Sequence, residues 1–219
     1  MDAKEIEAMI QKSKKRNFKQ TIELIINLKK SYDLNKAENK FTEYFELPKG
    51  KGKKSKIAAI VGPELEKSAK EIFDFVLVKD NIKDLGQNKR EIKKIAKKYY
   101  IFVAQSSVMP DVGKFLGRYL AARNKMPNPK YGMIFPDNIT PEFLKNLYEK
   151  MQKMVRITIK NHITFGIIVG SEDMSPDDIK ENINAVIGFL INRIPGGKNS
   201  IKSIYLKQTM SKSIKVSQW

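Results

Sequence analysis

Near its start the chain reads Lys14-Lys15-Arg16-Asn17-Phe18-Lys19-Gln20-Thr21, with cations around one aromatic ring and an amide and a hydroxyl at the end. RNA recognition uses these kinds of group: cations against phosphates, a ring against a base, and small polar groups against base edges and ribose 2′-hydroxyls. A second cluster near the other end, Lys202, Lys207, Thr209, Met210, Ser211, Lys212 and Lys215, again sets cations beside compact polar groups. A third, from Arg118 through Arg123, Asn124, Lys125 and Met126 to Pro127, Asn128, Pro129 and Lys130, is a proline-stiffened basic loop. Each also fits a plainer role. Phe18 suits a core beneath solvated lysines, the second cluster suits an exposed strand edge guarded by lysine, and the loop suits ordinary solvated surface.

Carriers of catalysis are scarce. Cysteine is absent, which excludes disulfides, thiolate metal sites and a cysteine nucleophile. His162 is the one histidine, so a two-histidine metal centre is excluded and a serine triad would rest on it alone. It follows Lys160-Asn161 in a turn and reads as a surface residue without a role. Glu172 and Asp173 read as turn chemistry, and Asp177 and Asp178 as the acids of a helix N-terminus. The segment from Pro48 to Ser55 reads as a flexible basic loop and lacks the Walker spacing. No cofactor and no metal are expected.

The whole chain agrees with a polyanionic partner. Its 219 residues carry 42 Lys+Arg and 24 Asp+Glu, a net charge of 42 − 24 = +18, while 41% hydrophobic content allows a real core. No apolar run reaches the roughly 18 residues needed to span a bilayer, so no membrane is expected. The opening MDAKEIEAMIQKSKK is mixed-charge and amphipathic rather than a secretory signal. A cytoplasmic protein is expected.

The elements that must position these groups follow from periodicity. Ile6, Met9 and Ile10 predict a helix over 3–15. Residues 21–28 alternate, with Ile22, Leu24, Ile26 and Leu28 on one face: a half-buried strand. Phe41 to Leu47 predicts a second. The apolar runs Ile57–Val61, Phe75–Val78 and Tyr100–Ala104, with a lysine-rich helix over 86–98, predict buried parallel strands in a small doubly wound unit. Its turns lack GxGxxG, so no dinucleotide is expected. The GxxxG spacing of Gly113 and Gly117 predicts close helix packing. A helix over 143–151 follows, and alternation returns at 155–160 and 165–169. Ser175-Pro176-Asp177-Asp178 opens a helix reaching about Arg193, and a last strand covers 201–210. The fold class expected is α/β with two domains: a discontinuous split α+β domain, 1–57 and 155–219, and an inserted Rossmann-like three-layer α/β domain, 58–154. The two crossings between them would act as a double hinge.

Several segments together resemble one family. Arg16-Asn17-Phe18-Lys19-Gln20-Thr21-Ile22-Glu23-Leu24, Leu47-Pro48-Lys49-Gly50 with Lys56–Ile60, Leu116-Gly117 through Pro129, Val169-Gly170 with Met174-Ser175 and Asn182-Ile183, and Tyr205–Met210 are similar in order and spacing to the large-subunit ribosomal protein L-one family, in its archaeal branch. Two departures stand out. Ala121-Ala122 precede Arg123 where the family has glycine-proline, and Ser211 follows Met210 where the family has glycine. The resemblance implies a non-enzymatic ribosomal protein of the mobile stalk beside the tRNA exit site, with large-subunit rRNA, exit-site tRNA and its own mRNA, whose translation it represses, as partners. It implies a monomer when free. The RNA-binding residues expected from the resemblance together with the basic clusters are Arg16, Asn17, Phe18, Gln20, Thr21, Glu23, Lys202, Lys207, Thr209, Met210 and Ser211, with Arg123 and Lys125 secondary. Thr209 and Phe18 are expected at one face, Thr209 offering its hydroxyl to a ribose 2′-OH. A stand-alone mRNA-binding repressor is the alternative, and a phosphate-processing enzyme the third.

Overall fold

Strand β1 (Thr21–Leu28) buries Ile22, Leu24, Ile26 and Leu28 and leaves the residues between them half-buried, as a period of two facing one core requires. The computed structural model describes residues 6–8, 10, 14 and 16–216. Of the helix expected over 3–15, Ile6–Ala8 and Ile10 are helical and Ile6 is fully buried; Met9 and Lys15 lie outside the described residues. The chain divides into two units, Met1–Lys53 with Lys153–Trp219, and Lys54–Gln152.

In the first unit β1 lies inside an antiparallel sheet of order β10-β9-β1-β8, with β8 (Thr164–Ser171), β9 (Ile201–Gln208) and β10 (Ile214–Lys215). A separate antiparallel pair joins β2 (Phe41–Glu46) to β7 (Met154–Ile159). One core holds the inward faces of β1, β8 and β9 against Ile179, Ile183, Val186, Ile187 and Leu190 of the long helix Pro176–Arg193. Ser175 caps that helix by accepting from the Asp178 N–H at 3.1 Å.

The second unit is a parallel sheet of order β4-β3-β5-β6, with β3 (Ile57–Val61), β4 (Phe75–Val78), β5 (Ile101–Gln105) and β6 (Ile134–Phe135). Both faces of β3 and β5 are buried, which explains their unbroken apolar runs. Its helices are α1 (Glu66–Ile72), α2 (Ile82–Gln87), α3 (Lys89–Lys98), α4 (Met109–Asp111), α5 (Gly117–Ala121) and α6 (Pro141–Lys153); the helix Pro176–Arg193 of the first unit is α7. The single helix expected over 86–98 is two, because Asn88 breaks the run and caps α3 by accepting from the Glu91 N–H. The GxxxG expectation fails. A Cβ built at Gly113 would meet nothing within 4 Å, and one at Gly117 only backbone at 3.8 Å; the stretch Val112–Leu116 is a π-helix instead.

The segment after β2 is not the flexible basic loop its lysines and glycines suggest. Gly50 and Gly52 both take φ of +69°, a left-handed angle that favours glycine. The buried amide of Asn182 on α7 accepts from the Lys49 N–H (3.0 Å) and donates to the carbonyls of Gly50 and Val169 (both 2.9 Å). Lys51 is turned inward, only 4% exposed, and its Nζ donates to the Met154 carbonyl at 3.1 Å.

Burial lowers the Lys51 pKa from 10.5 to about 8. Between those values the unfolded chain holds a proton the folded one has lost, so stability rises with pH across that window, by roughly 3 kcal/mol in all. Below the folded-state pKa both states are charged and this dependence vanishes. Lys51→Met should flatten the rise in urea-unfolding free energy between pH 7 and 10. Equal pH slopes for the two proteins would refute the assignment.

Candidate nucleic-acid interface

Pairing between β1 and β9 carries the first cluster and the Lys207–Ser211 part of the second to one end of the sheet, with Ile22 opposite Gln208 and Glu23 opposite Lys207. Thr209 closes that end. Its N–H donates to the Thr21 carbonyl at 3.1 Å; its hydroxyl donates to the same carbonyl at 3.2 Å and accepts from the Thr21 N–H at 3.1 Å. One acceptor lone pair of the hydroxyl remains for a ligand, and the donor is committed.

Gln20 is 1% exposed, so its amide holds the site together rather than lying open on it. Its Oε1 accepts from the Met210 N–H at 3.3 Å, and its Nε2 donates to the Lys14 carbonyl and to Glu172, both at 3.3 Å. One side chain therefore ties the amino-terminal arm, the turn after β8 and the turn after β9. The neighbouring ion pair of Lys19 with Asp173, at 2.5 Å, is largely exposed and orients the arm more than it stabilises it.

On this frame Phe18 is 50% exposed and Met210 59% exposed. Phe18 does not pack into the core. Two exposed large apolar side chains on segments that Gln20 ties together, with exposed Arg16 and Asn17 preceding Phe18 in the chain, are the kind of surface that marks a binding site. Glu23 and Lys207 are half-buried neighbours across the β1–β9 pair. Ser211 takes no left-handed angle; its hydroxyl accepts from the Gln208 N–H at 3.0 Å and completes the turn. The side chain in place of glycine is thus absorbed locally.

The remaining expected residues lie elsewhere. Lys202 is exposed at the far end of β9, about 20 Å along the strand by its rise per residue. Arg123 and Lys125 belong to the other unit. The Lys125 ammonium donates to the carbonyl of Ala96 at 2.8 Å and to that of Tyr99, so it caps the end of α3.

At the carboxyl ends of β3 and β5, where doubly wound folds place ligands, the Gln105 amide donates to Glu64, and Asp137 accepts from the Ser107 N–H. Gln105 holds the Glu64 carboxyl below its usual range, and Ser107 does so for Asp137. Two ionised carboxylates there repel a phosphate. Among the described residues no group of three or more His, Asp or Glu could hold a metal ion, and no helix is long and apolar enough to cross a membrane.

Comparison with known proteins agrees with the resemblance in the basic clusters. The large ribosomal subunit protein uL1 of Nanoarchaeum equitans is 48% identical over 93% of this chain and 93% of its own length. The uL1 proteins of Thermococcus kodakarensis and Methanothermobacter thermautotrophicus are 40% and 41% identical, over 94% and 93% of this chain and 91% and 92% of theirs. A profile covering residues 10–212 describes the same group, and the chain belongs to the Ribosomal protein L1p/L10e family.

Proposed function

We propose that this chain is a structural protein of the large ribosomal subunit that grips a folded segment of its rRNA through the closed end of the β1–β9 pair. Arg16 supplies charge to phosphates; Asn17 and the free lone pair of Thr209 serve base edges or ribose hydroxyls; Phe18 and Met210 give the apolar faces on which a base rests. The observation that carries this is the exposure of Phe18 and Met210 together on a frame fixed by Gln20 and Thr209. In the particle the protein forms the mobile stalk beside the tRNA exit site and touches the departing tRNA. The same surface takes a similar fold in its own mRNA and represses translation.

Crosslinking the pure protein to total cellular RNA and sequencing the bound fragments tests all three partners. Large-subunit rRNA should dominate, with its own transcript second. Sedimentation with large subunits in moderate salt separates a resident protein from a stand-alone repressor.

Thr209→Val tests the clamp. It removes the hydroxyl but keeps the Thr209 N–H bond to Thr21, so we expect about 1 kcal/mol of stability lost and rRNA affinity reduced several-fold. Unchanged stability would mean the clamp contributes nothing.

A further inference from the structure

The second unit carries an open groove of about 490 Å³ lined by Lys89, Lys93, Arg118, Tyr119, Ala122 and Arg123. Two helices build it. Lys89 and Lys93 stand one turn apart on α3, and Arg118 and Ala122 one turn apart at α5 and its end. The Lys125 latch on the α3 carbonyls ties the turn after α5 to α3, the two elements that wall the groove.

No carboxylate lines this groove, although the chain holds 24 Asp+Glu. The placement opposes helix stability. Like charges at i,i+4 repel, and Lys89 opens α3, where the helix dipole is already positive. A protein that needed only solubility would put these cations at the other end. Four cations lining one groove with Tyr119, a half-buried ring that packs on the core and still faces the groove, are what a phosphodiester chain with an unpaired base requires.

We propose that this groove is a second RNA site, in which Lys89, Lys93, Arg118 and Arg123 neutralise successive phosphates of a single-stranded segment and Tyr119 stacks on an unpaired base. It is separate from the interface at the end of β1 and β9 and does not depend on it.

The test uses the full chain and a fluorescein-labelled 12-nucleotide oligouridylate. Arg118→Ala with Arg123→Ala should lower affinity at least fivefold at 0.1 M KCl and reduce the salt slope by about 1.4, about 0.7 for each phosphate that no longer meets a cation. Lys94→Ala with Lys97→Ala removes the same charge from α3 outside the groove and should stay within twofold of wild type. Ultraviolet irradiation should crosslink uridine to Tyr119, and the arginine double variant should lose that crosslink. Equal losses in the two double variants, or no crosslink at Tyr119, would overturn the site. Displacement of the RNA by oligoglutamate of equal length and concentration would assign the groove to acidic protein segments and overturn it as well. The two sites separate cleanly. A Phe18→Ala that binds the rRNA fragment normally, beside an arginine double variant weakened for oligouridylate, sinks the first interface and leaves this one; the reverse pattern does the opposite.

Discussion

Replacing Asn182 with leucine should cost the first unit about 3–5 kcal/mol. The side chain is fully buried and bonds three backbone groups: the Lys49 N–H and the carbonyls of Gly50 and Val169. Leucine fills similar space and satisfies none of them, and each buried orphan costs about 1–3 kcal/mol, partly offset by the apolar gain. The loop that follows β2 carries two left-handed glycines and the inward Lys51, so losing its anchor releases a segment whose path depends on that amide. Urea unfolding followed by circular dichroism should show the midpoint falling by more than 1 M at an unchanged slope. A loss below 1 kcal/mol would mean that water replaces Asn182.

Phe18→Ala should lower affinity for the rRNA target about 10- to 100-fold while leaving stability nearly unchanged. A stacked base contributes about 1–3 kcal/mol, and the ring already stands half in water, so its removal opens no core cavity. Fluorescence anisotropy with the rRNA fragment recovered by crosslinking measures the first quantity, and thermal unfolding of the same sample the second. Unchanged affinity with normal folding would remove Phe18 from the interface. An equal loss of stability would make it a packing residue.

Much of the fold is legible in the sequence wherever one face of an element meets one core. The alternation of β1, the unbroken runs of β3 and β5 and the Ser175 cap of α7 can all be read from residue order because local spacing determines them. The two-residue strands β6 and β10 carry no period and leave no signal. Polar residues are harder. Gln20, Lys51 and Lys125 look like the surface residues around them, yet each reaches carbonyls or groups well away in sequence, and chemistry alone does not separate a latch from a solvated cation. The basic groove has a faint signature in the i,i+4 spacing of Lys89 with Lys93, on a helix whose mid-chain position gives no hint of its neighbour.

The pairing of β1 also bears on synthesis. Both its partners, β8 and β9, lie beyond residue 163, while the second unit is continuous from Lys54 to Gln152. A ribosome adding about 5–20 residues per second therefore leaves β1 unpartnered for on the order of ten seconds, with its apolar face awaiting strands not yet made. The inserted unit can fold during that interval. The Thr21–Thr209 clamp forms only after nearly the whole chain has emerged, so a nascent copy lacks the interface proposed at the end of β1 and β9, whatever its inserted unit already offers. If the proposed repression of its own message runs through that interface, it would come from completed molecules and would count finished protein rather than initiated chains.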